Sequence, residues 1–151
     1  MDNGLREDDA IRVLVVDDDG DARDMYGHYL RHIGMRVETA ADGDEALRAT
    51  HAFSPDVIVM DLAMPAMPGD QVAAVVKSDP RTCEVKIIGL SAYGCLGRTT
   101  ARVAPFDAFY LKPLVPRDLA LVVEGLVFRE DRNRSTVMAS RANASADAAS
   151  H

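Results

Sequence analysis

A chain of 151 residues is long enough for one domain of ordinary size and too short for two comfortable ones. Apolar residues make up 48% of it and charged residues 27%, the balance of a soluble protein with a true core. Seventeen Lys and Arg against 24 Asp and Glu leave a formal net charge of −7, which argues against nucleic acid or an anionic membrane as partner, because both attract a basic field.

Short apolar runs alternate with amphipathic stretches along the chain, the pattern of βα units around a parallel sheet. Ile11–Val16 is almost wholly apolar, as expected of a strand buried on both faces. After an acidic loop, Ala22, Met25, Tyr26, Tyr29 and Ile33 recur at helical spacing, and Gly34 is a suitable stop. Met35–Thr39 reads as a second strand. Asp42 and Gly43 read as a turn, and Asp44–His51 as a helix with acids at its start. Val57–Met60 is a third strand ending at Asp61, and Leu62–Pro68 is a proline-containing loop. Val72, Val75 and Val76 mark a third helix that ends near Asp79-Pro80. Val85–Leu90 ends at Ser91, and Gly94–Val103 is a weak fourth helix. Ala108–Leu111 ends at Lys112-Pro113, and Pro116 opens a fifth helix reaching about Phe128.

The ends differ from this pattern. Residues 1–10 read as a flexible leader, acidic and without the apolar stretch of an export signal. Residues 129–151 read as a disordered tail, since the Ala and Ser that dominate its last part give a helix no face to bury. No apolar run approaches the roughly 18 residues of a spanning helix. Cys83 and Cys95 form neither a CxxC pair nor a disulfide framework, which fits thiols in a reducing cytoplasm.

Four polar positions stand at the ends of four predicted strands: Asp17-Asp18, Asp61, Ser91 and Lys112. In an open α/β sheet the carboxyl ends of the strands share one edge, where ligands bind. Residues nearly a hundred positions apart should therefore converge there. Carboxylates about 4 Å apart repel by roughly 4 kcal/mol per pair at an effective dielectric of 20. One lysine cannot offset several such pairs, whereas a hard divalent cation can, and oxygen-only ligands favour Mg²⁺ or Mn²⁺. A hydroxyl and an ammonium beside such an ion suit the oxygens of a phosphoryl group. A carboxylate facing it can be the nucleophile that forms an acyl phosphate.

With these residues in view, the sequence closely resembles the receiver domains of two-component response regulators. The resemblance is carried by Val-Leu-Val-Val-Asp17-Asp18-Asp19, by Pro55-Asp-Val-Ile-Val-Met-Asp61-Leu-Ala-Met64-Pro65 and by Gly69. It continues through Ile87-Ile-Gly-Leu-Ser91-Ala and Phe106-Asp-Ala-Phe-Tyr-Leu-Lys112-Pro113, in order, over about residues 11–128. Ser91-Ala-Tyr-Gly together with Phe106-Asp-Ala is similar to receivers of the hybrid-kinase type. The resemblance implies a doubly wound (βα)₅ fold, flavodoxin-like, with strand order 2-1-3-4-5. It implies that Asp61 is the phospho-acceptor. Asp18, Asp61 and the backbone carbonyl of Ala63 would ligate Mg²⁺, with Asp17 completing the acidic pocket through a metal-bound water. Ser91 and Lys112 would hold phosphoryl oxygens, Lys112–Pro113 would be a cis bond, and Ser91 and Phe109 would form the switch. The sequence departs from the commoner pattern in having Ser rather than Thr at 91, Ala at 63, and at 109 a Phe without the hydroxyl of Tyr.

Two rival readings compete. Asp17-Asp-Asp19-Gly20 resembles the opening motif of haloacid-dehalogenase-type phosphatases, but only Asp118 follows Lys112 as a further acid at a useful distance, and the chain has no room for a cap. A binding-only pseudo-receiver conflicts with the fully charged pocket. A calcium loop at 17–21 fails on its glycine position, and His28 with His32 lacks a third ligand. The expectation is a stand-alone cytoplasmic response regulator, a phospho-acceptor rather than an enzyme. It would take its phosphoryl group from a sensor histidine kinase or a histidine phosphotransfer protein. It would act by protein contacts, as a homodimer or with a target, through the fourth helix, fifth strand and fifth helix, with neither nucleic acid nor membrane as partner.

Overall fold

The computed structural model describes residues 10–92 and 105–128. Within them five strands, β1 (Arg12–Val16), β2 (Arg36–Ala40), β3 (Val57–Asp61), β4 (Lys86–Ser91) and β5 (Ala108–Leu111), pair in parallel in the order β2-β1-β3-β4-β5. Composition follows position in the sheet. The inner strands β1, β3 and β4 are buried nearly throughout, while the edge strands β2 and β5 carry exposed residues. The parallel sheet follows the alternating pattern, and its order is that of the doubly wound, flavodoxin-like fold the family resemblance implies.

Helices α1 (Gly20–His32), α2 (Gly43–Phe53) and α3 (Gly69–Ser78), and a helix over 116–128, cover the two faces. Alternation along each strand divides the core. Val13, Val15, Val57, Val59, Ile88 and Leu90 meet Tyr26 and Leu30 of α1 and Leu119 and Val123 of the C-terminal helix. Leu14, Val16, Ile58, Met60 and Ile87 meet Ala46 of α2 and Val72, Ala73 and Val76 of α3. Each fully buried aliphatic side chain contributes roughly 1.5–3 kcal/mol. The two layers thus offset the cost of gathering charges at the sheet edge.

Local chemistry sets the helix ends. The Asp19 carboxylate caps α1 by accepting from the Asp21 N–H at 3.1 Å. Gly34 follows the helix with φ +100°, a conformation that excludes most side chains. Asp42, expected in a turn, is the N-cap of α2. Its carboxylate accepts from Glu45 N–H at 2.8 Å, and Glu45 reaches back to the Ala41 N–H at 3.0 Å, a variant of the capping box.

The buried face of α1 differs from the apolar stripe seen in the sequence. Tyr26 and Leu30 are buried, but Met25 and Ile33 are 45% and 40% exposed. Met25 lies about 100° around the helix from Tyr26, and Ile33 is the C-cap. The predicted fourth helix and Cys95 lie outside the described residues, as do the 129–151 tail and all but the last residue of the leader. Among the described residues no helix is long and apolar enough to cross a membrane.

Candidate phosphoryl-acceptor and metal site

The parallel register levels the carboxyl ends of the inner strands. Val16 pairs with Met60, Asp61 with Leu90, and Ser91 with Leu111. Asp17 follows β1, Asp61 and Ser91 are the last residues of β3 and β4, and Lys112 follows β5. One carboxylate oxygen from each of Asp17, Asp18 and Asp61 lies within 4.8 Å of the others. Asp17 and Asp61 are almost wholly buried, and Asp18 is exposed.

Lys112 Nζ enters between the buried pair, 2.9 Å from Asp17 Oδ2 and 3.6 Å from Asp61 Oδ1. The other Asp17 oxygen accepts from the Asp19 N–H at 2.9 Å. Asp61 Oδ1 accepts from the Ala63 N–H at 3.2 Å. Only glycine fits at 69 beside β3, because a Cβ there would collide with the Asp61 carbonyl oxygen. The Lys112–Pro113 bond is cis. Ser91 is fully buried, and its hydroxyl donates to the neighbouring Ala92 carbonyl at 3.1 Å. Phe109 is half-buried and meets Phe106 edge-on, with centroids 6.1 Å apart.

Burial is the main cause that pushes Asp61 up to about 6. The Ala63 N–H opposes it, Asp17 adds to it, and Lys112 pulls it back. For Lys112, burial favours the neutral amine, but the Asp17 hydrogen bond and the charges of Asp61 and Asp17 outweigh it and leave the ammonium above its ordinary value. Three carboxylates and one ammonium retain a net negative charge that a divalent cation would offset. Oxygen donors alone, one of them open to solvent, fit Mg²⁺, which binds through few carboxylates and keeps several waters. His28 and His32 are both exposed, and neither belongs to this group.

Two residues of the site carry no signal of their role in the strand-end pattern. Arg23 Nη1 donates to the Asp17 carbonyl at 2.6 Å, and the Tyr26 hydroxyl donates to the Leu114 carbonyl at 2.7 Å. Their separation of three along one helix is the feature that places both on the pocket side of α1.

The fold and this edge define a CheY-like receiver. The family model for the response regulator receiver domain matches residues 13–124, and the chain belongs to that family. It is 36% identical over 130 residues to the transcriptional regulatory protein PrrA of Mycobacterium tuberculosis, covering 85% of this chain and 54% of PrrA. It is 31% identical over 121 residues to the DNA-binding response regulator MtrA of Mycobacterium leprae, covering 80% and 52%. The chain thus spans about half the length of these curated relatives. Among solved structures, the chemotaxis response regulator CheY4 of Vibrio cholerae matches with a TM-score of 0.70 and 31% identity, over 76% of this chain and 97% of that one.

The chain accordingly carries a receiver domain of two-component signal transduction, a signalling module, and the family match does not support the rival phosphatase reading. The expected absence of a nucleic-acid partner is withdrawn. Relatives of this chain are named as DNA-binding regulators, and a net charge of −7 speaks only to direct contact by these 151 residues.

Proposed function

We propose that the protein accepts a phosphoryl group on Asp61 from a phosphohistidine of a sensor kinase or phosphotransfer protein. An Asp61 carboxylate oxygen bonds to phosphorus, the P–N bond of the phosphohistidine breaks, and the imidazole leaves with the bonding pair. The observation that supports this reading is the convergence of Asp17, Asp18, Asp61 and Lys112 at one sheet edge. Asp18, Asp61 and the Ala63 carbonyl would hold Mg²⁺, with Asp17 acting through a water. When bound, the ion offsets the charge of the carboxylates and of the arriving phosphoryl oxygens. Lys112 pairs with one phosphoryl oxygen and Ser91 donates to another, once its hydroxyl turns from the Ala92 carbonyl. The chain then catalyses only its own phosphorylation and dephosphorylation. It acts in the cytoplasm through protein contacts that involve Phe109 and the surface around β5.

Acetyl phosphate with Mg²⁺, followed by peptide mass spectrometry, tests the reading. Label should fall on Asp61 and be absent from Asp61→Asn. Label on Asp17, Asp19 or a histidine would overturn the assignment, and a chain that takes no label would be a binding-only pseudo-receiver.

A further inference from the structure

Tyr26 of α1 is 3% exposed, and its ring belongs to the core cluster that includes Leu90, Leu119 and Val123. A Phe would fill that space equally well, and a buried hydroxyl is costly unless it finds a partner. The partner it finds is the Leu114 carbonyl, 2.7 Å away and 88 residues along the chain. Leu114 is the second residue after Lys112, just beyond the cis bond. On the other side of the lysine side chain, the Lys112 N–H donates to the Ser91 carbonyl at 2.8 Å. The segment that carries Lys112 is thus tied before the side chain to β4 and after it to α1. One turn earlier on α1, Arg23 ties the Asp17 carbonyl. A single helix therefore holds both backbone segments whose side chains meet in the Lys112–Asp17 pair. The Tyr26 hydroxyl lies near enough to the pocket for the charges of Lys112 and Asp17 to act on it, and burial raises its hold on the proton it donates above the ordinary value.

We propose that Tyr26 is a positioning residue for Lys112: its bond to Leu114 fixes the backbone from which the ammonium reaches Asp17 and Asp61, and with it the ammonium's approach to a phosphoryl group. This rests on the reading of Asp61 as acceptor and Lys112 as its phosphoryl partner.

The test is a double-mutant cycle read by titration of beryllofluoride, a phosphoryl mimic, at saturating Mg²⁺. Wild type, Tyr26→Phe, Lys112→Ala and the double variant are compared. Tyr26→Phe should weaken beryllofluoride binding on the order of threefold to tenfold when Lys112 is present, and by less than twofold when it is absent. The ¹⁹F signals of the bound group should shift in Tyr26→Phe as the fluorine–ammonium contact changes. An equal factor in both backgrounds would mean a purely structural hydroxyl and would overturn the proposal, as would no loss in either. Failure of wild type to bind beryllofluoride, or indifference of binding to Lys112→Ala, would instead overturn the underlying reading of the site. Should Tyr26→Phe not fold, hydrogen exchange of the Tyr26 hydroxyl in the wild type decides. It should slow when beryllofluoride binds, and an unchanged rate would overturn the proposal.

Discussion

Lys112 Nζ lies 2.9 Å from Asp17 and 3.6 Å from Asp61, so the ammonium of the free protein favours the carboxylate that is not the proposed acceptor. The arrangement leaves Asp61 the less compensated of the two buried acids. Burial, with Asp17 beside it, raises its affinity for protons to about 6, and Lys112 at the longer distance reverses only part of that rise. A site that holds one carboxylate short of counter-charge is set up to gain from a cation.

Magnesium should therefore stabilise the folded chain. A ligand of the native state alone contributes RT ln(1 + [L]/Kd), about 2.7 kcal/mol at a hundredfold excess over Kd. The thermal midpoint should rise by several degrees in millimolar Mg²⁺. Asp18→Asn, which removes the exposed member of the acidic group, should cut most of that gain. A melting curve indifferent to Mg²⁺ would count against the metal site.

In chelator, Asp61→Asn should stabilise the protein at pH 8. The sign follows from linkage. A carboxylate raised in the fold from 3.8 to about 6 binds more protons folded than unfolded between those values. Its favourable contribution is complete below about 3.8 and is lost as pH climbs through about 6. The displacement corresponds to at most roughly 3 kcal/mol. Solvent screening at the open pocket mouth and the lost attraction of Lys112 both reduce the gain the variant realises. That gain over wild type should fade below about pH 4, the ordinary range of an aspartate. A variant less stable than wild type at pH 8 would show that the Lys112–Asp61 contact outweighs burial.

The loop after β3 holds a second source of instability. Ala66 has φ +67°, a left-handed conformation that costs a residue with a Cβ about 1–2 kcal/mol. Glycine relieves this cost and offsets part of the relief through the entropy of the unfolded chain. Ala66→Gly should therefore raise stability by up to about 1 kcal/mol, measured by urea unfolding in chelator. An equal or larger loss would mean that the Ala66 backbone is held without strain.

The sheet and its charged edge were legible because each depends on a strong local signal. Val57–Met60 reads as a buried strand from four consecutive apolar residues, and a parallel sheet then brings Asp17, Asp61, Ser91 and Lys112 to one edge without further assumption. Finer relations were not legible. That Lys112 sits closer to Asp17 than to Asp61 is decided by 0.7 Å, the gap between its two contact distances, and no residue pattern encodes it. Tyr26 reads as one more core residue because its ring is one. Only the tertiary fold shows that its hydroxyl meets a carbonyl 88 residues away. Asp42 reads equally well as turn or cap, since the same carboxylate serves both.

The surface beside β5 combines buried anchors with exposed apolar side chains. Leu119 and Val123 of the C-terminal helix are fully buried against the sheet, whereas Leu121 and Phe128 are 59% and 54% exposed. Val122 and Leu126 of the same helix are only half-buried. With Leu121 and Gly125 they line a cavity with Phe109 and Tyr110 of β5. Phe109 therefore borders this surface while packing edge-on against Phe106. An apolar surface that continues from a helix onto an edge strand is a common form of protein contact, and an isologous dimer is its simplest use. Beryllofluoride with Mg²⁺ should increase self-association in sedimentation, and Leu121→Glu should abolish the increase by placing a charge at its centre. The same variant should keep its response to Mg²⁺ in thermal melts, because Leu121 lies away from the acidic edge. A protein that stays monomeric in every state, and a Leu121→Glu variant that still binds its partners in full, would together show that this face carries no output.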